Sequence, residues 1–276
     1  MPSENNQNTK PFEGVEVGEK PEDGVVSFNR QAWDRVADAG DRYYRAMTSE
    51  QIQSARDGEW RIRITPTKAV PRDWLEPLDG KEILLLAGGG GQQSPILAAL
   101  GAKVTVFDLS PRQLERDIEI AEREGFEIEA VSGDMADLSM FESERFDMVL
   151  NPCSVCYIPD VVPVWKEVAR VLRHGGTFMT GVINPLYYIF DAAKLDRDEF
   201  VVRHKIPYSD ADLGEEQSEL LGDERPREFG HSLSDLIGAQ LDAGMQLVGF
   251  YEDGWGGSDK LSTHISTFLA TRSRKL

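Results

Sequence analysis

The chain begins polar and without period. Residues 1–26 are rich in Glu, Asn, Gly and Pro, the composition of a disordered tail. From Phe28 apolar positions recur at steps of three and four. Trp33, Val36, Ala37, Gly40, Tyr44 and Met47 then share one face, which predicts an amphipathic helix. The stretch from Trp60 to Trp74 is interrupted by Pro66 and Pro71 and reads as a connector.

At Lys81 the pattern changes. Ile83-Leu84-Leu85-Leu86 is a continuous apolar run, as expected of a parallel strand covered on both faces. Gly88-Gly89-Gly90-Gly91 follows, then Ser94-Pro95, read as the N-cap and first residue of a helix that ends at Gly101. Val104-Thr105-Val106-Phe107 predicts a second strand ending at Asp108. Ser110-Pro111 opens the next helix, with Leu114, Ile118 and Ala121 inward and Gly125 as its stop. Strands are expected at 126–131, 146–150 and 177–182. Between the last two, Trp165, Val168, Ala169 and Leu172 mark a helix closed by Gly175-Gly176.

Residues 184 to about 230 break this rhythm. They are charged with scattered aromatics, among them Tyr187, Tyr188 and Tyr208, and a segment of this length reads as an inserted lid. A helix capped by Ser232 with Asp235 three positions on follows, with Leu233, Leu236, Ile237 and Leu241 as its buried stripe. Two final strands, 246–251 and 262–271, suggest an antiparallel hairpin at a sheet edge. Alternating strands and helices predict an α/β fold with a doubly wound, mostly parallel sheet whose last strand is antiparallel. The expected organisation is a tail (1–26), an N-terminal helical cap (27–80), a core (81–183), the inserted lid (184–230) and a C-terminal part completing the core (231–276).

Composition narrows the function. A chain of 276 residues suits one large α/β domain with an inserted cap. A formal net charge of -18 repels phosphate backbones, which disfavours nucleic acid as a partner. No apolar run approaches the roughly 20 residues of a membrane span, and the N-terminus lacks the regions of a signal peptide, so a cytoplasmic location is expected. With only Cys153 and Cys156 present, the chain is no disulfide scaffold.

In open α/β sheets, ligands bind beyond the carboxyl ends of the strands. The glycine run lies at such an end, where missing side chains let a ligand approach the backbone and the next helix offers free N–H groups. Asp108 ends the second strand, where an acid accepts hydrogen bonds from the ribose hydroxyls of an adenosine-type cofactor; its alternative role is an acid preceding a helix cap. The dinucleotide fingerprint fails, because its third glycine falls on Gln93 or Ser94.

The order ILLLAGGGG, VTVFDLSPRQL, VSGDMADL, FDMVLNPCSVCYIPD and EVARVLRHGGTFMTG resembles the class I S-adenosylmethionine-dependent methyltransferases, in their small-molecule branch often called type 11. QLDAGMQLVGFYED and ISTFLATR resemble that family's last two strands. The resemblance implies a Rossmann-like seven-stranded sheet and S-adenosylmethionine as cofactor. It puts Ala87, Gly88, Gly89 and Gly91 around the methionine part, Asp108 on the ribose and Leu109 beside the adenine. Asp134 would accept from the adenine amino group, Met135 would donate its backbone N–H, and Asn151 would line the pocket near the methyl group. Two positions depart from the family pattern: Leu85 stands where an acid is usual, and Ala87 where the motif's first glycine is usual. The implied activity is in-line methyl transfer to a small molecule, without a metal. An NAD(P)-dependent oxidoreductase and a non-catalytic S-adenosylmethionine-binding protein are the alternatives.

Around this site, Cys153 and Cys156 read as pocket lining or packing rather than a redox pair or a metal site. His231 is a general-base candidate or a loop histidine, and Tyr157 a substrate contact or a packing residue. Trp33, Tyr44, Cys156 and Tyr188 complete the expected substrate-side residues, with core packing as the other use of such aromatics.

Overall fold

The computed structural model describes residues 24–39, 46–213, 224–257 and 259–276. Residues 1–23, most of the expected tail, and Gly40 and Tyr44 of the expected first helical face lie outside these. Helix α1 runs Gly24–Ala39, α2 Ser49–Arg56 and α3 Arg72–Leu75. The core then alternates: β1 Glu82–Leu86, α4 Ser94–Ala99, β2 Lys103–Asp108, α5 Pro111–Glu124, β3 Ile128–Ser132, β4 Phe146–Asn151, α6 Val162–Val171 and β5 Leu172–Ile183. Helix α7 (Ala192–Leu195) and a small pair, β6 Tyr208–Ser209 with β7 Phe229–Gly230, belong to the segment expected as a lid. A π-helical turn Ser234–Gly238, helix α8 Ala239–Asp242, β8 Met245–Asp253 and β9 Phe268–Lys275 complete the chain.

The main sheet has seven strands in the order β3-β2-β1-β4-β5-β9-β8. Strands β1 to β5 pair in parallel, and β9 runs antiparallel to both β5 and β8. The predicted fold class is borne out. The side-chain period of two splits the apolar runs between the faces. Leu84, Leu86, Phe107 and Val149 pack on one side with Trp165 of α6, while Ile83, Leu85, Val106 and Leu150 pack on the other with Leu97 and Leu114. Edge strand β8 alternates half-buried and exposed positions between buried ends, as one solvent-facing side requires.

Three local readings differ from the expectation. Ser94 is not the cap of α4 but its first residue, because its hydroxyl donates to the buried carboxylate of Asp117. Helix α6 stops at Val171, and Gly175-Gly176 lie in a bulge of β5 where the register with β4 shifts. Ser232 and Asp235 do cap each other, but the helix they open begins as a π-turn. The wider turn rotates the stripe, so Leu236, Ala239 and Gln240 are buried while Leu233 and Leu241 are each 50% exposed.

Candidate functional site

The chain steps from β1 to β2 on one side and crosses to β4 on the other, so a crevice opens beyond the carboxyl ends of β1 and β4. Ala87 leaves β1 in a left-handed conformation (φ 50°), and its N–H donates to the Phe107 carbonyl at 2.7 Å. The glycine loop is then held by two acids. Asp108 accepts from the backbone N–H of Gly89 and of Ser110, each at 2.9 Å. Asp117, fully buried on α5, accepts from the N–H of Gly90 at 2.8 Å and from the Ser94 hydroxyl. Burial pushes the Asp108 carboxyl above its ordinary range despite those donors, and pushes that of Asp117 up to about 7. Gly90 and Gly91 have φ of +107° and +67°, which a side chain would strain.

Helix α1 closes the crevice from above. Its buried Asn29 donates to the carbonyls of Tyr157 (2.8 Å) and Arg227 (3.1 Å) and accepts from the Arg227 N–H at 2.7 Å. Asp34 accepts from the Ser110 hydroxyl at 2.6 Å, tying α1 to the start of α5. Trp33 meets the Tyr157 ring edge-on at 4.9 Å. The cavity beneath is lined by Ala87, Gly88, Gly89, Asp108, Leu109, Asp134 and Met135, together with Trp33, Tyr157 and Cys153.

A second, larger chamber adjoins the first. The two share Gln92, Gln93, Pro152, Cys153 and Tyr157 in their walls. Its outer wall is the segment from Glu59 to Thr67, which the sequence presents only as a connector. That segment lies directly on the sheet: a Cβ at Gly181 would sit 1.7 Å from the Ile64 carbonyl oxygen, so no larger residue fits there. The Arg63 N–H donates to Gln93 Oε1 at 3.1 Å while Gln93 Nε2 returns a bond to the Arg63 carbonyl. Asp253 at the end of β8 accepts from the N–H groups of Thr67 (2.8 Å) and Lys68 (2.9 Å). The inner wall carries Cys156, Tyr187, Glu228 and Phe268.

The family model described as a methyltransferase domain matches residues 84–180. Over 254 residues the chain is 44% identical to YbaJ, an uncharacterized methyltransferase of Bacillus subtilis, covering 91% of this chain and 99% of that one. The chain belongs to the class I S-adenosylmethionine-dependent methyltransferases. The crystal structure of an S-adenosylmethionine-dependent methyltransferase from Mesorhizobium loti shares the fold, with a TM-score of 0.56 at 18% identity over 74% of this chain and 95% of that one. A shorter match, 35% identical over 95 residues, is to the sarcosine/dimethylglycine N-methyltransferase of Halorhodospira halochloris; it covers 34% of each chain.

This methyltransferase brings most of the expected residues to one place, and four go elsewhere. Gly91 is absent from the cavity wall: its α-carbon faces α5, where a Cβ would lie 2.4 Å from Ile120 Cδ1, and its carbonyl accepts from Met47. Asn151 lies beneath the cavity, its amide donating to the Leu86 carbonyl and Ser154 hydroxyl and accepting from Thr180. Tyr188 lines neither cavity but stacks on Tyr208 and donates to Glu228, so Tyr187 takes the wall position. His231 is buried, with Nε2 at 2.9 Å from the Val155 carbonyl. A carbonyl only accepts, so that nitrogen carries the proton; burial lowers the ring's basicity, outweighing the bond to Val155, which raises it. Tyr44 lies outside the described residues.

Two features explain the departures from the family pattern. Leu85 is fully buried under Gly88, where a Cβ would meet its Cγ at 2.5 Å, so position 85 serves packing. Asp117 and Gln113 approach the loop from α5 instead. Among the described residues, Gln113 Oε1 is a buried acceptor with no hydrogen-bond partner, and it stands at the cavity wall. The signal for Asp117 was present in the sequence as an acid three positions after Leu114 within the inward stripe of α5.

Proposed function

We propose that the methyltransferase binds S-adenosylmethionine in the cavity under α1 and transfers its methyl group to a small molecule seated in the adjoining chamber. The observation that carries this reading is the shared wall: Gln92, Gln93, Pro152, Cys153 and Tyr157 border both spaces. The residues present fit the cofactor. Gly88 and Gly89 stand in the cavity wall without side chains, and Gln113 Oε1 offers an acceptor awaiting a donor. Asp108 would hold the ribose hydroxyls, Leu109 would pack beside the adenine, Asp134 would accept from its amino group and the Met135 backbone N–H would donate to it, while the loop at Ala87–Gly89 and Gln113 would hold the methionine end.

When bound, the cofactor supplies a methyl carbon already activated by a sulfonium. The protein therefore has to align the acceptor and exclude water. Trp33 and Tyr157 roof the cavity, and Asn29 fixes α1 over it. Asn151 acts indirectly, holding the β4 loop to β1 and β5. In this reading α1 and the described parts of the inserted segment, 184–213 and 224–230, form the cap, and the enzyme works in the cytoplasm; no helix among the described residues is long and apolar enough to cross a membrane.

Thermal unfolding with S-adenosylhomocysteine or NADH tests the reading. At about 100 times its dissociation constant, S-adenosylhomocysteine stabilises by about 2.7 kcal/mol, which raises the melting temperature by roughly 5–10 °C. Stabilisation by NADH alone would refute it.

A further inference from the structure

Resting on the methyl-transfer reading, we infer that Glu228 is the proton acceptor of the reaction, and that the acceptor is a nitrogen or oxygen nucleophile that must shed a proton. Glu228 stands in the inner wall of the acceptor chamber with Cys156 and Tyr187, and Cys153 and Tyr157 connect that wall to the cofactor cavity. One carboxylate oxygen, Oε2, accepts from the Tyr188 hydroxyl at 3.0 Å. Among the described residues the other, Oε1, has only the Arg225 guanidinium, 3.9 Å away. Arg225 is engaged elsewhere, at 3.1 Å from the fully buried carboxylate of Asp210. Asp210 also accepts from the Glu228 N–H at 2.9 Å and from the Tyr208 hydroxyl at 2.7 Å.

This arrangement is unlike that of a structural carboxylate. A purely structural acid in a wall would spend both oxygens on donors, as Asp210 and Asp117 do. Glu228 is oriented by one hydrogen bond and keeps 20% of its side chain exposed, next to the chamber. Burial raises its carboxyl above the ordinary range, and the neighbouring Asp210 adds to this, while Arg225 and Tyr188 oppose it. Tyr187 and Cys156 face the same space, and burial raises both, so neither competes as a base near neutral pH.

The step balances with the groups named. A lone pair on the acceptor nitrogen or oxygen forms the new bond to the methyl carbon, and the carbon–sulfur bond breaks to leave a neutral sulfide. The proton displaced from the acceptor passes to Glu228, and then to solvent.

The test uses the full-length protein with S-adenosyl-[methyl-13C]methionine and the sub-kilodalton metabolite fraction of a Bacillus subtilis extract. Mass spectrometry and NMR locate the label. The expected result is label on nitrogen or oxygen, with Glu228→Gln slowing turnover on the order of 100-fold or more. Its affinity for S-adenosylhomocysteine should stay within about twofold of wild type, which verifies folding and an intact cofactor site. Wild-type turnover should fall at low pH with a midpoint matching the Glu228 carboxyl titration, read by wild-type-minus-variant infrared spectra without cofactor. Glu228→Gln should lack that limb. Label on sulfur or carbon, or wild-type turnover in Glu228→Gln, overturns the role of Glu228 and leaves methyl transfer standing. No labelled product despite S-adenosylhomocysteine binding overturns both.

Discussion

Replacing Asp117 by Asn tests how the glycine loop is held. The carboxyl is buried to the last oxygen, yet it must accept from Gly90 and from Ser94. Asn keeps the shape: its oxygen accepts from Gly90, and its amide donates to the Ser94 hydroxyl. What Asn removes is the ionisation. Burial raises this acid from an ordinary 3.8 to about 7 in the folded chain. For a group raised on folding, the stability contribution is complete below the unfolded value and is lost as pH rises through the folded one. Between pH 5 and pH 8 the wild type therefore loses about 3 kcal/mol through Asp117, at up to about 1.4 kcal/mol per unit until the folded value is reached. The variant does not. For a chain of this size that corresponds to roughly 6–12 °C in melting temperature. Calorimetric melting of both proteins at pH 5 and pH 8 is the assay. The gap between variant and wild type should move in the variant's favour at the higher pH. A gap that is the same at both would refute a titrating Asp117. Asp117→Ala should be destabilised at either pH, because it takes the buried Ser94 hydroxyl's acceptor away at about 1–3 kcal/mol and leaves the Gly90 N–H with only the Gln113 carbonyl at 3.1 Å.

Two further outcomes follow from the cofactor cavity. Asp108→Asn should weaken S-adenosylhomocysteine by roughly 10- to 100-fold, the loss of one or two charge-assisted hydrogen bonds, by isothermal titration calorimetry. Unchanged affinity would remove the ribose role. In Gly89→Ala the new Cβ would lie 2.9 Å from Gln113 Cβ and 3.1 Å from Asp108 Oδ2, so the loop must shift. The expected result is at least about tenfold weaker S-adenosylhomocysteine binding with a modest fall in melting temperature, and tight binding would show that the loop does not contact the ligand.

The sequence by itself determined the sheet and the address of the site. Continuous apolar strands, Ser-Pro helix starts and the Gly125 stop are local signals, written within a few residues of the elements they specify. The alternation of Leu84 and Leu86 against Ile83 and Leu85 needs only the period of a strand to fill two cores. Likewise the glycine loop, Asp108, and the Asp134-Met135 pair announce themselves by standing at strand ends, and the structure gathers them in one cavity.

Only the tertiary structure decided which side chains line the two cavities. Whether Tyr187 or Tyr188 reaches the chamber depends on one irregular turn, Pro185–Ile189, whose direction no period encodes. His231 was chemically attractive, but the loop carrying Val155 took its nitrogen, a contact between residues 76 apart in the chain. The connector around Arg63 became a chamber wall because Gly181, far away in sequence, lets it lie on the sheet. Glu228 has no motif around it and acquires its setting from Tyr188, Arg225 and the chamber. The reason is general: periodicity reports which face of an element is buried, whereas a polar side chain's role depends on partners supplied by distant segments.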